Sequence, residues 1–442
     1  MSFKSRIYTA YSRFARSSGH AYRGISDRGR LVITGTILCA ALGIDTDLTL
    51  IYQLFALMLS LIIVSRLSLR FDLVDIQARR TLPRFATAGE PFEYQVSLTN
   101  RGHKIQKDLL ITDQPETRIP TLKEFLTHKE PFEETRNAWD RFIGYHRFMW
   151  LQKQKTGINL SPAPVPELPA RGKNSVRITA IPLRRGTVTF SALNIMKPDP
   201  FGLHYKIEKT RTTSQLIVLP KRYRTSSMSA GNKGRHLQPG GLHSTWSVGE
   251  SDEIVSLREF REGDSFRRIH WASSARRQKL IVKEFQDEYF VRHALILDTE
   301  CADEEIFEEC VSVIASFAEA LNTPDTLTDL IYATDNGARI ITVGRGYGLI
   351  QQQMEELALV NTSSSSLDIL KCTLESHARL IAGAIIVLNK WDEKRKGLVD
   401  PLRAQGINPK VLVITREYFM REPGIEFIPV DQIQNRLLSL QT

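Results

Sequence analysis

Cysteine is scarce in this chain. Cys39, Cys301, Cys310 and Cys372 are the four present in 442 residues, and no two stand at C-x-x-C spacing. The density and spacing of a disulfide-stapled secreted module are both missing, which favours a reducing compartment. Cys39 lies inside an apolar run and Cys310 on the apolar face of a helical pattern, so both read as small buried hydrophobes. Catalytic signatures are missing as well. The chain has no G-x-x-x-x-G-K-[ST] loop to cradle phosphates, no H-E-x-x-H, no G-x-S-x-G and no internal repeat. Asn389-Lys390-Trp391-Asp392 looks like the guanine-recognition element of a GTPase, but without a phosphate loop it makes no nucleotide site. The histidines, His270 among them, show no ligand spacing.

What is present has ordinary globular composition, 42% hydrophobic and 24% charged, at a length that implies two or three domains. The formal charge of +10 calls for an anionic partner, either nucleic acid or lipid headgroups. Two uncharged runs decide for lipid. Residues 31–44 and 48–64 carry no charge and are separated by Asp45-Thr46-Asp47, a pattern expected of a transmembrane helical hairpin over 31–65. The first run is short for a span and the second just adequate. A signal peptide fits poorly, because the apolar stretch starts late and a second run follows where a cleavage site belongs. Lys4, Arg6, Arg13, Arg16, Arg23, Arg28 and Arg30 precede the pair, and Arg66, Arg70, Arg79 and Arg80 follow it. Cytoplasmic flanks carry such an excess, so both termini are expected in the cytoplasm and the acidic hinge outside. Anionic lipid is then the expected partner of the basic N-terminus 1–30, and nucleic acid is not.

Residues 71–221 read as short strands broken by turns: 92–98 alternates, and 175–181, 187–190 and 215–219 are β-type runs, so a β-sandwich is expected. An insertion, 116–171, interrupts it with a polar, aromatic-containing middle (Trp139, Phe142, Ile143, Tyr145, Phe148, Met149, Trp150) that reads as a membrane-surface belt or as local packing. Residues 222–245 form a Gly- and Ser-rich linker. Beyond it strands alternate with helices: 292–297, 330–333, 339–343, 384–388 and 411–414 against helical patterns at 303–321, 348–359, 367–380 and 391–405. That alternation predicts a parallel sheet covered on both faces, with Asp303 as the N-cap of its first helix.

One segment is far more specific. Residues 256–285 read SLREFREGDSFRRIHWASSARRQKLIVKEF. This closely resembles the signature of the bacterial domain of unknown function 58 family, and the resemblance extends to Arg184-Arg185-Gly186, to Asp199-Pro200-Phe201-Gly202-Leu203 and to the paired apolar runs. It implies a membrane hairpin, an immunoglobulin-like region and, over 246–442, a von Willebrand factor A-like domain. It also implies a genomic neighbourhood with a MoxR-type AAA+ ATPase and a transglutaminase-like protein. Candidate partner-binding residues in the signature are Arg258, Glu259, Arg261, Gly263, Asp264, Arg267, Arg268, Trp271, Arg276 and Glu284. Arginine forks suit carboxylates, so the same residues are also expected to pair with one another as a clamp, with Gly263-Asp264 at the turn and Ile269 and Trp271 filling an apolar slot.

A von Willebrand A-like domain often holds a divalent cation on Asp-x-Ser-x-Ser after its first strand. The matching positions here are Asp298, Glu300 and Ala302. With a methyl in place of one hydroxyl, the loop has too few hard ligands, so no metal is expected and Asp298 is expected to cap the next helix. The expected function is a non-catalytic adaptor on the inner membrane of a bacterium, docking a MoxR-type ATPase or an envelope-related protein without a cofactor. The alternative is a metal- or nucleotide-dependent enzyme module acting on envelope material.

Overall fold

A computed structural model describes residues 3–21, 24–42, 49–71, 75–131, 133–225, 254–262, 264–285, 291–323, 326–343, 347–364, 366–416 and 422–439. The expected acidic hinge, 45–47, and linker residues 226–245 lie outside them. The chain divides into two compact units, Met1–Lys221 with Glu355–Leu359, and Arg222–Met354 with Val360–Thr442.

The first unit opens with three helices, α1 (Phe3–Ala21), α2 (Asp27–Leu42) and α3 (Thr49–Phe71). Among the described residues, α3 is the one helix long and apolar enough to cross a membrane, over Leu50–Arg70. Only 6% of its apolar window is buried, so it is no ordinary core helix. The 16 described residues of α2 reach about 24 Å at 1.5 Å per residue, short of the ~30 Å hydrocarbon core, and α2 lies against α3. Gly35 of α2 faces Met58 of α3.

The β-rich part follows as β1 (Ile76–Thr81), β2 (Phe85–Thr87), β3 (Phe92–Asn100), β4 (Leu110–Pro115), β5 (Ile158–Leu160), β6 (Ala163–Pro164), β7 (Lys173–Pro182), β8 (Gly186–Pro198) and β9 (Tyr205–Leu219). They form two sheets, β1-β3-β7-β5 and β2-β9-β8-β4-β6. Alternation puts Val96, Leu98 and Ile178 of one sheet and Ile111, Phe190, Leu216 and Val218 of the other into a single apolar core, as the pleat requires. Within this interior lies an ion pair. Arg80 Nε is 2.6 Å from Asp113 Oδ2 and its Nη2 2.5 Å from Oδ1, while Tyr94 donates to Oδ2 at 2.8 Å and Arg80 Nη1 to the Thr212 carbonyl at 3.1 Å. Both charged side chains are fully enclosed. Arg80, one of the cations that bear on membrane orientation in the sequence, is therefore consumed by the sandwich and faces no lipid.

The turn between β8 and β9 ties the helices to the sandwich. Ser26 donates through its amide to Leu203 O (2.9 Å) and through its hydroxyl to Gly202 O (2.5 Å), and a Cβ on Gly29 would overlap the Leu203 carbonyl. Ser65, buried at the end of α3, lies 2.6 Å from His204 Nδ1, and Asp199 accepts from the amides of Phe201 (3.2 Å) and His204 (2.8 Å). Burial holds the His204 imidazole below its ordinary pKa. Ser65, His204 and Asp199 are all buried, and a side-chain hydrogen bond from Ser65 joins the backbone amides in holding the Asp199 carboxylate.

The insertion contains α4 (Leu122–Thr127), α5 (Ala138–Ile143) and α6 (Tyr145–Thr156). Thr121 and Glu124 form a capping box at the start of α4, and Gly144, at φ +67°, makes the sharp break between α5 and α6. Phe125, Phe148 and Leu151 pack against Tyr8, Tyr11 and Ala15 of α1.

The second unit holds β10 (Ile254–Glu259), α7 (Trp271–Arg277) and β11 (Ile281–Phe285), then β12 (Val291–Leu297), α8 (Glu304–Ala320), β13 (Thr326–Thr334), β14 (Gly337–Val343), α9 (Tyr347–Leu359, whose end groups with the first unit), α10 (Leu367–His377), β15 (Gly383–Leu388), α11 (Glu393–Ala404), β16 (Lys410–Thr415), β17 (Ile425–Pro429) and α12 (Ile433–Ser439). The six strands β12–β17 make one sheet in the order β14-β13-β12-β15-β16-β17. All neighbours run parallel except β13 and β14, an antiparallel pair at one edge where a wholly parallel sheet was predicted. β17 was not predicted. Ala294, Ile296, Ile386 and Val413 face Leu370 and Leu374 of α10 and Leu398 and Leu402 of α11, and α8 lies against β12, β15 and β16.

Removing Asp113 strands the Arg80 charge inside the sandwich. Asp113→Ala is expected to cost ~3–5 kcal/mol, and Tyr94→Phe only about 1 kcal/mol, read by chemical denaturation. Near-wild-type stability of Asp113→Ala would contradict the enclosed pair.

Candidate functional site: a strand-end cluster and an arginine-rich hairpin

In a sheet of this order the chain leaves β12 in one direction toward β13 and later returns on its other side as β15. The carboxyl ends of β12 and β15 thus flank the topological switch point, where open α/β sheets commonly bind ligands. Asp298 follows β12 and Asn389 follows β15. The first strand-to-helix turn, Asp298-Thr-Glu-Cys-Ala-Asp303, contains no glycine, so its backbone offers no phosphate cradle.

The crevice is filled from within. Arg395, on the apolar stripe of α11 with Leu398, Val399 and Leu402, has no exposed surface. Its Nε donates to Asp298 Oδ2 at 2.6 Å, Nη1 to Asp392 Oδ2 at 2.8 Å and Nη2 to the Glu300 carbonyl at 2.7 Å. Asn389 Nδ2 donates to Asp298 Oδ2 at 2.7 Å and to Glu300 O at 2.8 Å, and the Glu300 amide to Asp298 Oδ1 at 2.9 Å. Both oxygens of Asp298 are engaged. The guanidinium pairs with this carboxylate through its own fixed donors. Burial pushes the Asp298 carboxyl up from its ordinary range while Arg395 pulls it back. Burial also raises the thiols of Cys301 and Cys310 above their ordinary range. The expectation that Asp298 caps the next helix is corrected: Asp303 does so, accepting from the amides of Glu305 and Ile306, because Asp298 is turned inward to Arg395. Among the described residues no group of three or more His, Cys, Asp or Glu is placed to hold a metal ion.

The signature segment folds around the antiparallel pair β10-β11, with Arg258 opposite Val282 and Glu259 opposite Ile281. Arg258 grips Asp264 through both Nη atoms at 2.7 Å, and the Arg261 amide adds a bond of 2.8 Å to Oδ2. The guanidinium first, then that amide, hold the Asp264 carboxyl down to about 2. Ile269, Ile281 and Val282 close the interior. The Ser274 hydroxyl accepts from the Ile281 amide at 2.9 Å, and His270 caps α7 by accepting from the Ser273 amide at 3.2 Å, a structural role rather than a basic one.

The sequence-derived residues separate into three groups. Arg258 and Asp264 form the expected clamp, and Glu259 pairs with Lys279 at 2.9 Å on the surface. Arg261, Arg267 and Arg276 are exposed, as is Trp271 at 66%. Trp271 therefore does not plug the apolar slot; Ile269 alone does, and Trp271, as the first residue of α7, faces outward. Gly263 and the side chains of Arg268 and Glu284 lie outside the described residues. Phe266, stacked on Phe260 with ring centroids 5.5 Å apart, is 69% exposed and joins this face. Sequence reasoning missed Phe266 and Arg395, and it weighed Asn389 and Asp392 only as a guanine-recognition element, whereas here they bind Asp298 and Arg395. Arg395 carried a signal: a charge at position i of an i, i+3, i+4, i+7 apolar stripe requires a buried partner.

Two outcomes are expected. Arg395→Ala leaves Asp298 uncompensated in the interior and should destabilise the protein by ~3–5 kcal/mol in chemical denaturation, whereas stability within 1 kcal/mol of wild type would contradict the cluster. For Asp264, the native pKa is lowered from 3.8 to about 2, so its stabilisation is full above about pH 4 and is lost as pH falls toward 2. The melting difference between wild type and Asp264→Asn should be level above pH 4 and close below it; a difference that widens on acidification would have the wrong sign.

Three comparisons bear on this geometry. Residues 256–415 match the family described as "Protein of unknown function DUF58". The uncharacterized protein YeaD of Bacillus subtilis is 30% identical over 139 residues, covering 31% of this chain and 33% of YeaD, so the chain spans about a third of that relative's length. Solved structures with similarity include the CARDB domain of a Pyrococcus furiosus protein (10% identity, 34% of this chain and 91% of that one, TM-score 0.18) and a PapD-like domain of human CEP192 (14%, 33% and 86%, TM-score 0.17). TM-scores this low add nothing to the strand order itself. The stretch from the arginine-rich hairpin through β16 is a domain of the DUF58 family.

Proposed function

We propose that this protein is a non-catalytic adaptor, tethered to a bacterial inner membrane by α3 with α2 beside it, that docks an acidic protein partner on the exposed face of its arginine-rich hairpin. In this reading the β-rich part is immunoglobulin-like, the second unit is a von Willebrand factor A-like domain, and both are cytoplasmic. The observation that carries the proposal is the division of labour in residues 256–285. Arg258, Asp264, Ile269 and Ile281 fix the hairpin from inside, which leaves Arg261, Phe266, Arg267, Trp271 and Arg276 presented outward on a rigid support. Exposed Trp and Arg together are the residue types that anchor protein interfaces. An enzyme reading has less support, because the switch-point crevice is occupied by Arg395. The partner that the family resemblance favours is a MoxR-type AAA+ ATPase, with a transglutaminase-like protein second.

Trp271→Ala and the pair Arg267→Glu, Arg276→Glu alter exposed positions, so each should leave stability within about 0.5 kcal/mol of wild type while weakening binding to the purified ATPase by roughly 2 kcal/mol or more. Weakening of the wild-type affinity as salt is added is a further expected sign of a basic surface. Undiminished binding by both variants would remove the docking face. A periplasm-only reporter fused after Thr442 should stay silent, and activity from it would overturn the cytoplasmic placement.

A further inference from the structure

The insertion carries an exposed apolar surface of its own. Trp139 and Phe142, one turn apart on α5, have ring centroids 6.3 Å apart, and Trp139 is 68% exposed. Beyond the Gly144 break, Tyr145 and Met149, again one turn apart on α6, continue the exposed apolar series. Trp139, Phe142, Tyr145 and Met149 keep 68%, 48%, 37% and 45% of their surface exposed, beside a local core that Phe125, Phe148 and Leu151 supply.

What these helices are fastened to identifies the occupant. Tyr8 of α1 donates to the Pro120 carbonyl at 2.9 Å and Tyr11 to the Ile143 carbonyl at 3.4 Å; Tyr11 also meets Tyr145 edge-on with centroids 5.7 Å apart. α1 ends only a few residues before α2, which lies against the apolar helix α3. On α1 the cations Lys4, Arg6 and Arg13 are exposed, and Arg141 is exposed between Trp139 and Phe142. A Trp, Phe, Tyr and Met surface bordered by arginine and lysine, carried by the segment that leads into an apolar helix, has the chemistry of a bilayer interface: rings settle at headgroup depth and the cations meet anionic phosphates.

We infer that α1 together with α5 and α6 is a monotopic lipid-binding element, which seats Trp139 and Phe142 in the headgroup region of an anionic cytoplasmic leaflet. The inference rests on the membrane-tethered reading above. Its consequence is a second attachment point beside α3, one that limits how the first unit can tilt.

The test uses the full-length protein in nanodiscs of phosphatidylcholine with phosphatidylglycerol, made with and without bromine on the acyl chains. The emission that Trp139→Phe removes is the Trp139 share. Brominated lipid should quench most of that share in anionic discs and much less of it in pure phosphatidylcholine, and Trp139→Phe should leave the melting temperature unchanged. A Trp139 share that brominated lipid spares and soluble acrylamide quenches overturns the inference and leaves a protein partner as the occupant; equal quenching in neutral discs overturns its anionic component. Resistance of the same protein to alkaline carbonate extraction from native membranes separates the two readings. Extraction would refute the tether, whereas a retained protein with an unquenched Trp139 refutes the lipid-binding element alone.

Discussion

Arg395 is fully enclosed at the carboxyl end of the sheet, and a charge in that position obliges everything around it. An uncompensated guanidinium would cost several kcal/mol, so one carboxylate must meet it inside and its remaining N–H groups must find acceptors. Asp298, Asp392 and the Glu300 carbonyl meet those needs, and Asn389 ties the end of β15 to the same carboxylate. These bonds join the ends of β12 and β15 to α11 at the switch point of the sheet.

With Arg395 held at the strand ends, the proposed contacts lie on exposed surfaces. In the second unit the arginine-rich hairpin is built to the same logic on a smaller scale: one clamp between Arg258 and Asp264 and a short apolar interior hold a framework, and the remaining arginines and aromatic rings stay outside. In the first unit the turn at 199–204 clasps α2 and α3, with Ser26 and Ser65 as the contact residues on the helix side. Each unit thus fixes its interior with buried polar pairs, Arg80 with Asp113 in one and Arg395 with Asp298 in the other, where apolar packing alone would leave the alignment of elements less specified.

The strands and helices of the second unit were legible because their periods are clean. The pattern at 303–321 became α8, and 384–388 and 411–414 became β15 and β16 with ends moved by one residue. β17 was missed because Ile425–Pro429 is short and carries Glu426, so its apolar run is broken. α1 was read only as a basic terminus, since its tyrosines find their partners over 100 residues away. The site was less legible for the same reason. Asp298 stood out by its place after a strand, but Arg395 lies 97 positions along the chain from it, and sequence spacing cannot show such a pair. Trp271 was misjudged because size alone argued for burial, whereas its position at the first turn of α7 decided for solvent.

Calorimetric titration of the full-length protein with Mg²⁺, Ca²⁺, ATP and GTP measures whether Arg395 closes the strand-end site. With Arg395 satisfying Asp298, no saturable heat is expected from any of the four at submillimolar concentration. Saturable binding that disappears in Asp298→Ala would contradict it and restore a metal- or nucleotide-dependent enzyme as the better reading.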